Sequence, residues 1–169
     1  MVCSSRHTPT LTPPTTMKKE ITSETLYLKA ATLCAHREVC CDDVRQKLYA
    51  WGARRDWVDE IVDRLVDEGY IDEMRYARAF VHDKTLFNRW GRVKTRHALE
   101  MKNVDTDLID EALATIDEEA YARMLTELLT EKLPSVSAKN EYERAQKLLR
   151  FAAGRGFESS VVFEVMKEL

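Results

Sequence analysis

The sequence predicts an all-α fold of three tandem three-helix units, each with helix-turn-helix-like spacing. Three observations carry this. The first is the scarcity of helix breakers: the 169 residues hold five Gly and four Pro, and three of those Pro (Pro9, Pro13, Pro14) fall near the start. What remains is rich in Lys, Arg, Glu, Leu and Ala, all good helix formers. The second is a regular rhythm of capping residues followed by left-handed stop residues. The third is internal similarity, since Asp72-Glu73-x-x-Tyr76-Ala77-Arg78 recurs as Asp117-Glu118-x-x-Tyr121-Ala122-Arg123.

Residues 1–20 read as a disordered leader rich in Ser, Thr and Pro, with Met17 a second candidate start beside Met1. They lack the apolar core of about 7–15 residues that a signal peptide needs. The first unit, 21–71, opens with a helix capped at Ser23 and running to about His36, with Leu26, Leu28, Ala30, Leu33 and Cys34 as its apolar content. A second helix starts at Cys41 or Asp42 and stops at Gly52. A third starts at Asp56, turns Val58, Ile61, Val62 and Leu65 inward, and stops at Gly69. The second unit, 72–116, and the third, 117–169, begin at Asp72 and Asp117. Arg45-x-x-Leu48-x-x-x-Gly52 returns as Arg96-x-x-Leu99-x-x-x-Asn103, and Asn tolerates the left-handed turn that Gly makes. Pro134 divides the seventh helix from the eighth, with Ser135 and Ser137 offering caps beyond it. One such unit of about 45 residues buries too little surface to be stable alone; stacking relieves this and lengthens the molecule.

Little in the chain suggests catalysis. It has no GxxxxGK[ST] or GxGxxG phosphate loop, no HExxH and no nucleophile elbow. Its four His are scattered, and its paired carboxylates sit at helix starts or on exposed faces, so neither a cofactor nor a metal is expected. Cys3, Cys34, Cys40 and Cys41 form no CxxC and read as reduced thiols of a cytoplasmic protein. No apolar run approaches the roughly 18 residues of a membrane-spanning helix.

The middle unit carries the binding signal. From Arg75 to Leu99 the only acid is Asp83, while Arg75, Arg78, Lys84, Arg89, Arg92, Lys94 and Arg96 supply cations. The chain as a whole carries a formal net charge of −3. Tyr76, Phe80 and Phe87 fit a core-facing stripe, and Arg89-Trp90-Gly91 forms the corner between two helices. A charge run is by default a solvated face, but here the interleaving acids are missing. Arg in place of Lys suits bidentate contacts to carboxylate or phosphate. Such a face fits either a nucleic-acid backbone or an acidic protein surface.

Tyr76-Ala77-Arg78-x-Phe80, Phe87-x-Arg89-Trp90-Gly91-x-x-Lys94 and Leu99-x-x-Lys102-Asn103-Val104 together resemble the RecX family over about residues 24–169. Asn103-Val104 stands where that family has Gly-Ile, and Thr95 where an aliphatic residue is usual. The resemblance implies three repeats in an elongated, curved arrangement and a monomer that binds RecA filaments on single-stranded DNA. It further implies inhibition or modulation of RecA ATPase, strand exchange and co-protease activity, restraining recombination and the SOS response. Arg75, Arg78, Arg89, Trp90, Arg92, Lys94 and Arg96 are the candidate RecA- or DNA-binding residues. A stand-alone helix-turn-helix-like nucleic-acid-binding protein is the rival reading.

Overall fold

The computed structural model describes residues 20–169, which form nine α-helices and no β-strand. The leader expected over residues 1–20, with Cys3 and the choice of start codon, therefore lies almost wholly outside the described residues. The first triplet is α1 (Ser23–His36), α2 (Cys41–Ala50) and α3 (Arg55–Asp67). The second is α4 (Glu73–Leu86), α5 (Arg92–Glu100) and α6 (Thr106–Leu113). The third is α7 (Glu118–Lys132), α8 (Glu141–Gly154) and α9 (Ser159–Met166).

Caps account for most of the starts. The Asp72 carboxylate accepts from the Arg75 amide at 2.9 Å, and Asp117 accepts from Ala120 at 2.7 Å, each satisfying one of the amides that a helix start leaves unpaired. α1 is capped by Thr22, one residue before the expected Ser23, through a reciprocal pair with Thr25. α3 begins one residue earlier than expected, at Arg55.

The stops of α2, α3, α5 and α8 share one geometry. Gly52, Gly69, Asn103 and Gly156 all have positive φ, at 89°, 76°, 56° and 89°. At each, an amide five residues on returns to a helix carbonyl: Ala53 to Leu48 at 3.0 Å, Tyr70 to Leu65 at 2.8 Å, Val104 to Leu99 at 3.3 Å and Phe157 to Ala152 at 3.1 Å. Asn103 thus keeps the turn that glycine makes elsewhere.

Each triplet closes on its own core. Leu26, Val44, Leu48, Ile61 and Leu65 fill the first, Tyr76, Ala77, Leu99, Ile109 and Ala112 the second, and Tyr121, Leu125, Leu129, Ala152 and Val162 the third. Cys40 crosses over: it precedes α2 of the first triplet yet is fully buried in the second core.

Several expectations need correction. Phe87 is 77% exposed and no part of the core stripe, because α4 ends at Leu86 and the chain turns before the ring can face inward. Leu28 is exposed on α1. Pro134 lies in a 3₁₀ turn, Leu133–Ser135, and α8 is capped by Asn140 and not by Ser135 or Ser137. Thr95 does not weaken its helix face; it is fully buried, and its hydroxyl donates to the Gly91 carbonyl at 3.0 Å.

Candidate functional site

The acids missing from the cationic run in sequence arrive from elsewhere in space. Arg75 donates to Glu38 at 2.6 Å, Arg78 to Glu111 at 2.6 Å and Arg89 to Glu131 at 3.0 Å. Arg96 pairs with Asp110, and Arg92 reaches both Glu118 at 2.7 Å and Glu158 at 3.3 Å. All five arginines of the candidate set are therefore matched to carboxylates within the chain. Between Arg75 and Lys102, the lysines and arginines without a carboxylate partner among the described residues are Lys84 and Lys94. Both stand over Trp90, Lys84 Nζ 4.9 Å and Lys94 Nζ 4.3 Å from the ring centroid.

Arg92 belongs to a joint between the second and third triplets. Gly91 offers no side chain to cap α5, and α8 substitutes for one. The Gly91 amide donates to the Arg155 carbonyl at 2.9 Å, and the Val93 amide to the Gly156 carbonyl at 3.0 Å. The amide between them, that of Arg92, donates to the Tyr121 hydroxyl at 2.9 Å. The positive end of α5 thus abuts the negative end of α8, and each satisfies groups the other leaves unpaired. Such an approach leaves no room for a Cβ. One added at Gly91 would overlap the Gly156 carbonyl, and one at Gly156 would overlap the Lys94 backbone.

Side chains lock the same place. The Tyr121 hydroxyl donates to the Glu158 carboxylate at 2.7 Å, and the Arg92 guanidinium lies 4.2 Å from the Tyr121 ring centroid. Only 18% of the Arg92 side chain is exposed. Burial works against its charge, but the hydrogen bonds it donates to Glu118 and Glu158 outweigh that, so its pKa moves up. Burial, reinforced by Glu158, also raises that of Tyr121.

The joint has an earlier copy. On the register that aligns Arg45 with Arg96, Cys40-Cys41 falls on Gly91-Arg92, and matching the left-handed turns at Asn103 and Gly156, two residues further along, sets Lys102 against Arg155. At that first joint the Cys41 amide donates to Glu73 at 2.6 Å, Lys102 pairs with Asp43 at 2.7 Å and Asn103 donates to Asp42 at 3.0 Å. In each copy the start of one unit's second helix docks on the C-terminal turn of the next unit's second helix. The sequence held the signal, the matched Cys40-Cys41 and Gly91-Arg92 pairs, but nothing local says what they face.

The thiols take part as packing groups. Burial pushes Cys40 up to about 11 and Cys41 to about 12. A thiol moved from 9.0 to about 11 is ionised about a hundredfold less at pH 8. Iodoacetamide at pH 8 should therefore label Cys40 and Cys41 at least tens of times more slowly in the native protein than in urea, read by peptide mass spectrometry. Among the described residues no group of three or more His, Cys, Asp and Glu is placed to hold a metal, and no helix is long and apolar enough to cross a membrane.

The sequence pattern of the second three-helix domain of RecX matches residues 72–113, and that of the third matches 118–166. The chain is 32% identical over 127 residues to a Clostridium botulinum protein named Regulatory protein RecX, covering 74% of this chain and 59% of the relative's length. Proteins of the same name from Prosthecochloris aestuarii (29% identical; 79% of this chain, 85% of the relative) and Chlorobium phaeobacteroides (30%; 66% and 72%) are also similar. Two solved structures share the fold with a TM-score of 0.79 each: a regulatory protein RecX at 22% identity, covering 86% of this chain and 71% of that one, and RecX from Lactobacillus salivarius at 18% identity, covering 87% and 96%.

Proposed function

Because the chain belongs to the RecX family, we propose that it binds RecA filaments on single-stranded DNA and restrains RecA ATPase, strand exchange and co-protease activity, and with them recombination and the SOS response. It acts as a cytoplasmic monomer, without catalysis or cofactor. The observation that carries this reading is the match of two successive RecX domains across residues 72–166. The joints between the units support it. Each joint ties the start of one unit's second helix to the end of the next unit's, and a chain of units so linked, seated across adjacent filament subunits, opposes the rearrangements that hydrolysis and strand exchange require.

The geometry divides the candidate residues by role. Arg75, Arg78, Arg89, Arg92 and Arg96 spend their guanidinium groups on carboxylates of the chain itself, so they shape the surface. Trp90 and Lys94 have no such commitment and supply contact. The test is RecA ATPase on single-stranded DNA, with the purified protein titrated below the RecA concentration. A dose-dependent fall in rate is expected. An unchanged rate at equimolar protein overturns the proposal.

A further inference from the structure

We propose that Lys84, Trp90 and Lys94 form a binding site for a single strand of nucleic acid, with the two ammonium groups on its phosphates. This deepens the function proposed above and rests on it only for the identity of the strand as filament DNA.

Three features point to it. First, the sorting of cations is complete: between Arg75 and Lys102 every arginine is matched to a carboxylate, and the two cations left over are lysines. A guanidinium fork suits a carboxylate; an ammonium is a compact point charge that suits a phosphate oxygen. An acidic protein partner would be met by the forks, and those are already engaged.

Second, the leftover charges converge. Lys84 stands on α4 and Lys94 on α5, yet both ammonium groups lie over one indole, and Lys84 Nζ is also 5.2 Å from the Phe80 ring centroid. Two like charges thus flank one ring, neither within ion-pair distance of a carboxylate of the described residues, and an anion bound there neutralises both. Third, the platform is an aromatic ring, itself only half-buried. Once phosphates draw the ammonium groups outward, its face is open to a base. Lysine beside an aromatic ring that a base can reach is the arrangement by which proteins hold single strands without reading their sequence. The site is also rigidly placed, because Lys94 sits in the turn of α5 that packs against Gly156.

The test uses the full chain without RecA and a fluorescein-labelled thirty-nucleotide oligo(dT), with anisotropy followed from about 50 to 200 mM KCl. Lys84→Gln with Lys94→Gln should weaken binding at least tenfold at the low-salt end. It should also flatten the slope of log K against log salt by about 1.4, the share of two phosphate contacts on a single strand. Lys47→Gln with Lys139→Gln, the same charge change at exposed lysines outside the middle unit, should leave the slope unchanged. A double variant at 84 and 94 with wild-type slope overturns the proposal. Wild-type protein that inhibits RecA but does not bind the oligonucleotide also overturns it, leaving the proposed function standing with a protein contact at this surface. Lysine-dependent strand binding without RecA inhibition upholds the site and sinks the proposed function.

Discussion

Gly156→Ala is expected to cost about 3 kcal/mol of stability, with the loss centred on the joint between the second and third units. Two effects combine. The residue sits at φ 89°, where a Cβ is strained by about 1 kcal/mol or more. Its Cβ would also overlap the Lys94 backbone, and forcing atoms into a closed contact costs typically about 1–3 kcal/mol. Gly91→Ala carries only the second penalty, against the Gly156 carbonyl, because its φ is −76°. It should cost about 2 kcal/mol. Two controls separate the causes. Gly69 has φ 76° with open space around it, so Gly69→Ala should cost about 1 kcal/mol. Gly154 ends α8 with nothing within 4 Å, so Gly154→Ala should be neutral or slightly stabilising. Urea unfolding gives the ranking, and hydrogen exchange at the Gly91 and Val93 amides locates the damage. Equal stability of all four variants rules out the close-packed joint.

Arg92→Met is the second large effect, at about 2 kcal/mol. Removing one member of a fully buried ion pair costs about 3–5 kcal/mol, because the other charge is left without a partner. Here the figure is discounted for access to water, since 18% of the Arg92 side chain and 28% of Glu158 remain exposed. Arg78→Met is the comparison. Its pair with Glu111 is more than half exposed on both sides and should be worth about 0.5 kcal/mol or less. Tyr121→Phe should fall between them at about 1.5 kcal/mol, as it leaves the Arg92 amide and Glu158 each short of one hydrogen bond. Chemical denaturation measures all three; an Arg92→Met variant no weaker than Arg78→Met refutes the lock. The ordering also matters for functional work. Reversing the charges of Arg89, Arg92 and Arg96 together confronts Glu131, Glu118, Glu158 and Asp110 with like charges. Loss of RecA inhibition in that variant reports a broken joint as readily as a lost contact. Lys84 and Lys94 are the cleaner positions to probe.

The helices and their limits were legible because their causes are local. Asp72 and Asp117 cap within three residues, and Gly52, Gly69, Asn103 and Gly156 close turns within five. The repeat from Asp72 to Arg78 and from Asp117 to Arg123 showed in the same way, since equivalent helices need equivalent starts and inward faces. Two of the differences lie where a helix ends: α4 stops at Leu86 before Phe87 can face inward, and Asn140 caps α8; the other two, exposed Leu28 and buried Thr95, lie inside helices, where the neighbouring elements decide which face is covered.

The sequence alone determined an all-α chain of repeated three-helix units with a run of cations in its middle. Only the tertiary structure decided what those cations do. The partners of Arg92 lie 26 and 66 residues away, and Arg89 meets Glu131 across 42. Local charge counting sees none of these, because the register between units sets which carboxylate stands opposite which arginine. The same register brings Gly91 against Gly156 and turns two ordinary glycines into a joint. It also leaves Lys84 and Lys94 unpaired over Trp90, where the sequence showed only two more positive charges in a row.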